Sequence, residues 1–89
     1  MNTKELEKIL KVLASKRRLD IIGFLKRNRE AMVSEIAQEI KLSLKATSKH
    51  LQILYSIDIL EKDKRGLEAY YRLAGSRDEI IKTVTKSIK

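Results

Sequence analysis

No cysteine occurs in this 89-residue chain, which excludes disulfides, thiolate catalysis and cysteine-built zinc fingers. Proline is absent too, and glycine stands only at Gly23, Gly66 and Gly75, so no flexible or proline-rich linker divides the sequence. Tryptophan is missing; Phe24, Tyr55, Tyr70 and Tyr71 are the only aromatic residues. A core must therefore rest on Leu, Ile and Val. No apolar run approaches the roughly 18 residues of a membrane-spanning helix, and no secretory pattern opens the chain. A cytoplasmic protein that does not enter a membrane is the expectation. With one histidine, no phosphate-cradling glycine loop and no nucleophile beside an evident base, neither an enzyme nor a bound cofactor or metal is expected.

What the chain has in excess is positive charge. Twenty Lys and Arg against twelve Asp and Glu give a formal charge of +8. Such a balance points to an acidic partner, nucleic acid ahead of an anionic membrane. The excess is uneven: residues 1–29 carry nine basic and three acidic side chains, whereas residues 30–40 carry three acidic and no basic ones. The length suits a single domain spanning 1–89, with a core small enough that a second subunit would add stability.

Helix signals appear early. Asn2 with Glu5 resembles a capping box, followed by Leu6, Ile9, Leu10 and Leu13 at helical spacing. Ser15 can cap a second helix carrying Leu19, Ile22 and Leu25. Ala31 to Val33 is a short strand candidate. Ser34 can cap a third helix with Ile36, Ala37 and Ile40 inward, and Ser43 a fourth running to about Ser56. Two short helices across the tight break Lys41-Leu42-Ser43 read as a helix-turn-helix over 34–56, although the turn lacks the glycine often found there. A hairpin over 59–73, with Gly66 in its loop, reads as a wing. Ser76 with Glu79 forms a second box before a last helix bearing Ile80, Ile81, Val84 and Ile88. The predicted fold is mainly α with a small β-hairpin, a winged helix-turn-helix between terminal helices.

The fourth helix carries the candidate chemistry. Helical spacing puts Thr47, His50, Leu51, Leu54 and Ile57 on one side, and Lys45, Ser48, Lys49, Gln52 and Ser56 on the other. The second stripe suits a DNA major groove: Lys reaches guanine N7 and O6, Gln pairs with adenine, and Ser bonds either kind of edge. Lys45, Ala46, Ser48, Lys49 and Gln52 are the candidate major-groove residues. Ser43 at the helix start and His50 near the border of the packing side are candidates for the sugar–phosphate backbone, as are Lys62, Lys64 and Arg65 around the hairpin tip. Lys62 is the weakest of these, because Glu61, Asp63 and Glu68 dilute the charge. Lys16, Arg17 and Arg18 serve equally well as phosphate contacts or as a solvated helix start.

Residues 13–73 resemble the ArsR-type winged-helix transcriptional regulators. The carriers are "LASKRRLDIIGFL", "VSEIAQEIKLSLKATSKHLQIL" and the returning strand "EAYYRL". The resemblance implies a homodimer, joined through 1–14 and 76–89, that binds a near-palindromic operator of double-stranded DNA and represses transcription. Leu6, Leu10, Leu13, Ile81, Val84 and Ile88 are the candidate interface residues, since the terminal helices would be poorly covered in so small a monomer. Many members of that family sense metals through a Cys-x-Cys pair or through His and acidic residues on the last helix. Here Met32 and Ser34 stand in place of the cysteines, and the last helix has Asp78 and Glu79 without histidine, so neither metal site carries over. The alternative is a winged-helix module for protein–protein contact without DNA, against which the polar stripe on the fourth helix argues.

Overall fold

A computed structural model describes all 89 residues. The elements run α1 (Thr3–Leu13), α2 (Lys16–Arg27), β1 (Ala31–Met32), α3 (Val33–Ile40), α4 (Leu44–Ser56), β2 (Leu60–Arg65), β3 (Glu68–Leu73) and α5 (Glu79–Ser87). The hairpin β2–β3 is extended by β1 into a three-stranded antiparallel sheet of order β1-β3-β2. The two residues of β1 place Ala31 opposite Tyr71 and Met32 opposite Tyr70, which fastens the root of the wing to the segment before α3.

Side-chain oxygens start most of the helices. Asn2 Oδ1 accepts from Glu5 N at 2.8 Å, Ser15 Oγ from Arg18 N at 3.3 Å and Ser43 Oγ from Ala46 N at 3.1 Å, each satisfying one orphan donor of a first turn. Two caps differ from expectation. Ser34 lies inside α3, whose start is held by Glu35: its Oε1 accepts from Met32 N at 2.8 Å. At α5 the cap is Asp78, not Ser76. Its Oδ1 takes both Ile80 N at 2.9 Å and Ile81 N at 3.1 Å, while Ser76 Oγ only accepts from Asp78 N. A carboxylate complements the positive helix start better than a neutral hydroxyl does.

The missing turn glycine is replaced by a lysine. Lys41 takes φ 57°, with Leu42 N donating to Ala37 O at 3.0 Å and Lys41 N to Gln38 O at 3.4 Å. Asp58 repeats the arrangement after α4 at φ 61°, with Ile59 N on Leu54 O and Asp58 N on Tyr55 O, both at 3.1 Å. Both are Schellman-type endings made without glycine, at a cost of about 1 kcal/mol for Lys41 and less for Asp58, whose short polar side chain tolerates the left-handed region.

The core joins Ile21, Ile22 and Leu25 of α2, Ile36 and Ile40 of α3, Leu51 and Leu54 of α4, and Ile59, Leu60 and Tyr71 at the wing root. Leu13 closes it from α1 and Ile81 from α5. Burying each such side chain contributes about 1.5–3 kcal/mol, and α4 is anchored to this core through Leu51 and Leu54. The residue that ends α5, Ile88, packs on α2 at Gly23, where a Cβ would come within 2.9 Å of Ile88 Cγ2. Lys26 Nζ donates to the Thr85 and Ile88 carbonyls near the end of α5, neutralising its negative pole.

Candidate nucleic-acid interface

Helix α4 has one face locked and one free. Thr47, Leu51 and Leu54 are fully buried, His50 and Ile57 half-buried. On the far side Lys45, Lys49, Gln52 and Ser56 are exposed, and Ser48 and Ala46 half-buried beside them. No acidic residue occupies the first turn of α4, in contrast to α1, α3 and α5. Lys45 and Lys49 make no ion pair with a neighbour. The ridge therefore offers cations, an amide and hydroxyls with nothing in the chain to quench them, next to a positive helix pole suited to phosphate. Ser43 is exposed, and because its oxygen accepts from Ala46 N, its O–H remains available as a donor. Thr47 Oγ1 is buried without a partner, and nothing in the structure explains it.

His50 and the first-turn arginines of α2 form the bracket behind this ridge. Arg18 Nε donates to Val12 O at 2.6 Å, and its Nη1 lies 3.2 Å from His50 Nδ1. A guanidinium can only donate, so Nδ1 accepts and the imidazole is neutral with its proton on Nε2. Burial, then repulsion from Arg18 and Arg17, pushes the His50 pKa below its ordinary value. Arg17 Nη1 caps α3 by donating to Ile40 O at 2.6 Å. Both arginines tie helices together, while Lys16 pairs with Asp20 at 2.9 Å.

The wing sorts its charges by the two-residue period of a strand. Lys62 lies opposite Tyr71 and Lys64 opposite Ala69, on one face. Glu61 opposite Arg72, Asp63 opposite Tyr70 and Arg65 opposite Glu68 form the other. The acids expected to dilute the basic tip thus sit across the sheet from Lys62 and Lys64. The lysine face looks toward α4, where Lys62 Nζ stands 4.7 Å above the Tyr55 ring. Arg65 is occupied on the other face. Its Nη1 and Nη2 donate to the two Glu30 oxygens at 2.6 and 2.9 Å, its Nε to Asp63 Oδ2 at 3.0 Å, and its guanidinium lies 4.4 Å from the Tyr70 ring centre. The Arg65 hydrogen bond holds the Glu30 carboxyl below its ordinary pKa. Lys64 is left as the exposed wing cation with neither an ion pair nor a ring partner.

The candidate interface residues also divide. Leu13 and Ile81 are buried within the chain's own core and have almost no surface left for a second subunit. Leu6, Val84 and Ile88 are half-buried, and Leu10 is 48% exposed. Sequence reasoning missed Glu30, whose grip on Arg65 depends on a contact 35 residues away. It also missed two exposed leucines, Leu44 at the start of α4 and Leu67 at the wing tip. Leu44 precedes Ser48 by one helical turn, so the spacing could have added it to the stripe. No group of three or more His, Asp or Glu side chains gathers into a metal site, and no helix is long and apolar enough to cross a membrane.

A core-locked helix with a cationic outer ridge, entered through a tight turn and followed by a basic-faced wing, is the DNA-binding head of a winged helix-turn-helix transcriptional regulator. Residues 13–63 match the model of the helix-turn-helix domain family. A homodimeric winged helix-turn-helix DNA-binding domain from Mycobacterium bovis, Mb0332, described as a possible ArsR-family transcriptional regulator, is 31% identical. It aligns over 93% of this chain and 73% of its own, with a TM-score of 0.78. Reduced HlyU from Vibrio cholerae is 28% identical over 96% of this chain and 85% of its own, with a TM-score of 0.79. The AntR antimony-specific transcriptional repressor is 26% identical over 93% of this chain and 72% of its own, with a TM-score of 0.77. No curated protein sequence gives a significant match. The chain belongs to the ArsR-type family of winged helix-turn-helix transcriptional regulators.

Proposed function

We propose that this regulator is a repressor that binds a near-palindromic operator as a homodimer. Lys45, Ala46, Ser48, Lys49 and Gln52 read the major groove, with Ser43, Lys62 and Lys64 on the sugar–phosphate backbone. His50 and Arg65, engaged by Arg18 and by Glu30, act behind that contact surface and set its shape. The observation that carries the reading is the outward ridge of α4, with Lys49 and Gln52 exposed while Leu51 between them is fully buried. A helix so fixed presents the same side chains to every duplex, which sequence discrimination requires.

The dimer is placed on α1 and α5, within 1–14 and 76–89. Leu6 and Leu10 form a shallow apolar groove with Ala14 on the outer side of α1, and Val84 and Ile88 remain half-buried on α5. The homodimeric state given for Mb0332 supports a dimer, and the repressor role given for AntR supports repression. A two-fold dimer sets its reading helices about one DNA turn, roughly 34 Å, apart.

The experiment is a salt titration of binding to duplexes enriched from a random-sequence pool, run with the wild type and Leu10→Glu. Several phosphate contacts make affinity fall steeply with salt, by about three orders of magnitude between 50 and 200 mM for six contacts. Leu10→Glu is expected to sediment as a monomer and to lose operator affinity by about a hundred-fold or more, because each half-site then binds alone. A wild type that enriches no duplex sinks the operator reading; a Leu10→Glu variant that stays dimeric sinks the α1 interface.

A further inference from the structure

We propose that Leu67, at the tip of the wing, enters the minor groove beside the reading helix and packs against deoxyribose and base edges, a contact that adds affinity without adding phosphate charge. The inference rests on the DNA-binding reading above and assigns a residue that the basic wing alone does not suggest. Leu67 is 98% exposed, the most exposed large apolar side chain in the molecule. It packs on nothing in the chain, so the fold gains nothing from it; the turn needs only the glycine before it, Gly66 at φ 63°. Glycine in the left-handed region as the first of two loop residues fits a type II′ hairpin, whose second position accepts any small or polar residue. A serine or asparagine would serve the turn better than a leucine.

The surrounding charges favour the same assignment. Arg65, which the sequence puts nearest the tip, is turned back onto Glu30, Asp63 and Tyr70 and is withdrawn from the groove. Lys62 is drawn toward Tyr55. Lys64 is the wing cation left without any internal partner, three residues from Leu67 on the α4 side of the hairpin. A wing with one free cation and a bare leucine at its end is suited to a backbone anchor followed by an apolar insertion. Minor-groove proteins use Leu, Ile, Phe, Met or Pro in this way.

The test compares Leu67→Ser, Leu67→Met and Lys64→Ala with the wild type, on the duplex the wild type enriches, across a salt series. Thermal unfolding of Leu67→Ser should match the wild type, since the side chain has no contacts to lose. Its affinity should fall about ten-fold with an unchanged salt slope, as expected for lost apolar burial. Leu67→Met should retain most of the affinity, and Lys64→Ala should lower the slope by about one. Wild-type binding with Leu67→Ser equally tight overturns the Leu67 assignment and leaves the DNA reading standing. A ten-fold loss in Leu67→Ser that Leu67→Met shares overturns it too, because apolar character is then not what matters. If the wild type binds no duplex, both readings fall together.

Discussion

The reading helix and the wing are both basic in sequence, yet the fold treats their cations in opposite ways. On α4, Lys45 and Lys49 project from a face whose back is locked into the core, and no acid approaches them. On the wing, Arg65 is clamped by two carboxylates and Lys62 lies over a tyrosine. Formal charge is therefore a poor measure of DNA-contacting charge. What counts is which cations lack an internal partner, and that depends on strand periodicity and on residues far apart in the chain.

The largest effect should come from the helix. Lys49→Ala is expected to weaken operator binding by about 1–3 kcal/mol, and to relax discrimination at one base pair of each half-site. Lys64→Ala should weaken specific and random duplexes alike, by less. The pair of measurements breaks the comparison if Lys49→Ala weakens all sequences equally, because Lys49 would then be one more phosphate contact.

Next in size is the release of Arg65. Glu30→Gln removes the bidentate carboxylate and one negative charge near the wing. An exposed ion pair of this kind contributes little to stability, and the β2–β3 ladder holds the hairpin without it. Freed, the guanidinium should reach phosphate: affinity for any duplex rises a few-fold and the salt slope steepens by up to about one. A fall in affinity instead would show that Arg65 works as a brace for the wing, and that its clamp is part of the binding surface's shape.

Much of the fold was legible because its signals are local. Helical spacing of Leu and Ile marked every helix, and the Asn2, Ser15 and Ser43 caps are short-range hydrogen bonds. The outward stripe of α4 followed from the same periodicity. What local pattern could not carry were choices between competing residues and contacts across the chain. Ser76 and Asp78 both suit a helix start, and charge decided for Asp78. Lys41 stands where glycine was expected, because tertiary packing of α3 on α4 outweighs a small backbone penalty. Leu13 and Ile81 look like interface residues on a helical wheel but fill the interior once α1 and α5 fold back. The commitment of Arg17, Arg18 and Arg65 to internal acceptors was beyond reach for the same reason: apart from Asp63, two residues from Arg65, their partners lie 6 to 35 residues away.

The smallest effect concerns pH and the bracket behind the helix. His50 is the chain's only histidine, and its folded pKa is lowered by burial and by Arg18 and Arg17. The unfolded chain takes up a proton at an ordinary value near 6.5, while the folded one resists it until a lower pH. The unfolded state thus binds more protons as pH falls through that value. Stability is undiminished above it and declines on acidification, by a small amount. Urea unfolding at pH 7.5 and 5.5 should show the loss in the wild type and a smaller one in His50→Gln, whose amide cannot be protonated in that range. Protonation also removes the acceptor that Arg18 uses, so the decline should be accompanied by loosening between α2 and the reading helix, visible as faster amide exchange in the middle of α4. Equal pH dependence in the two proteins would mean that Arg18 and His50 meet without holding the helix, and that the rigidity of α4 comes from its apolar face alone.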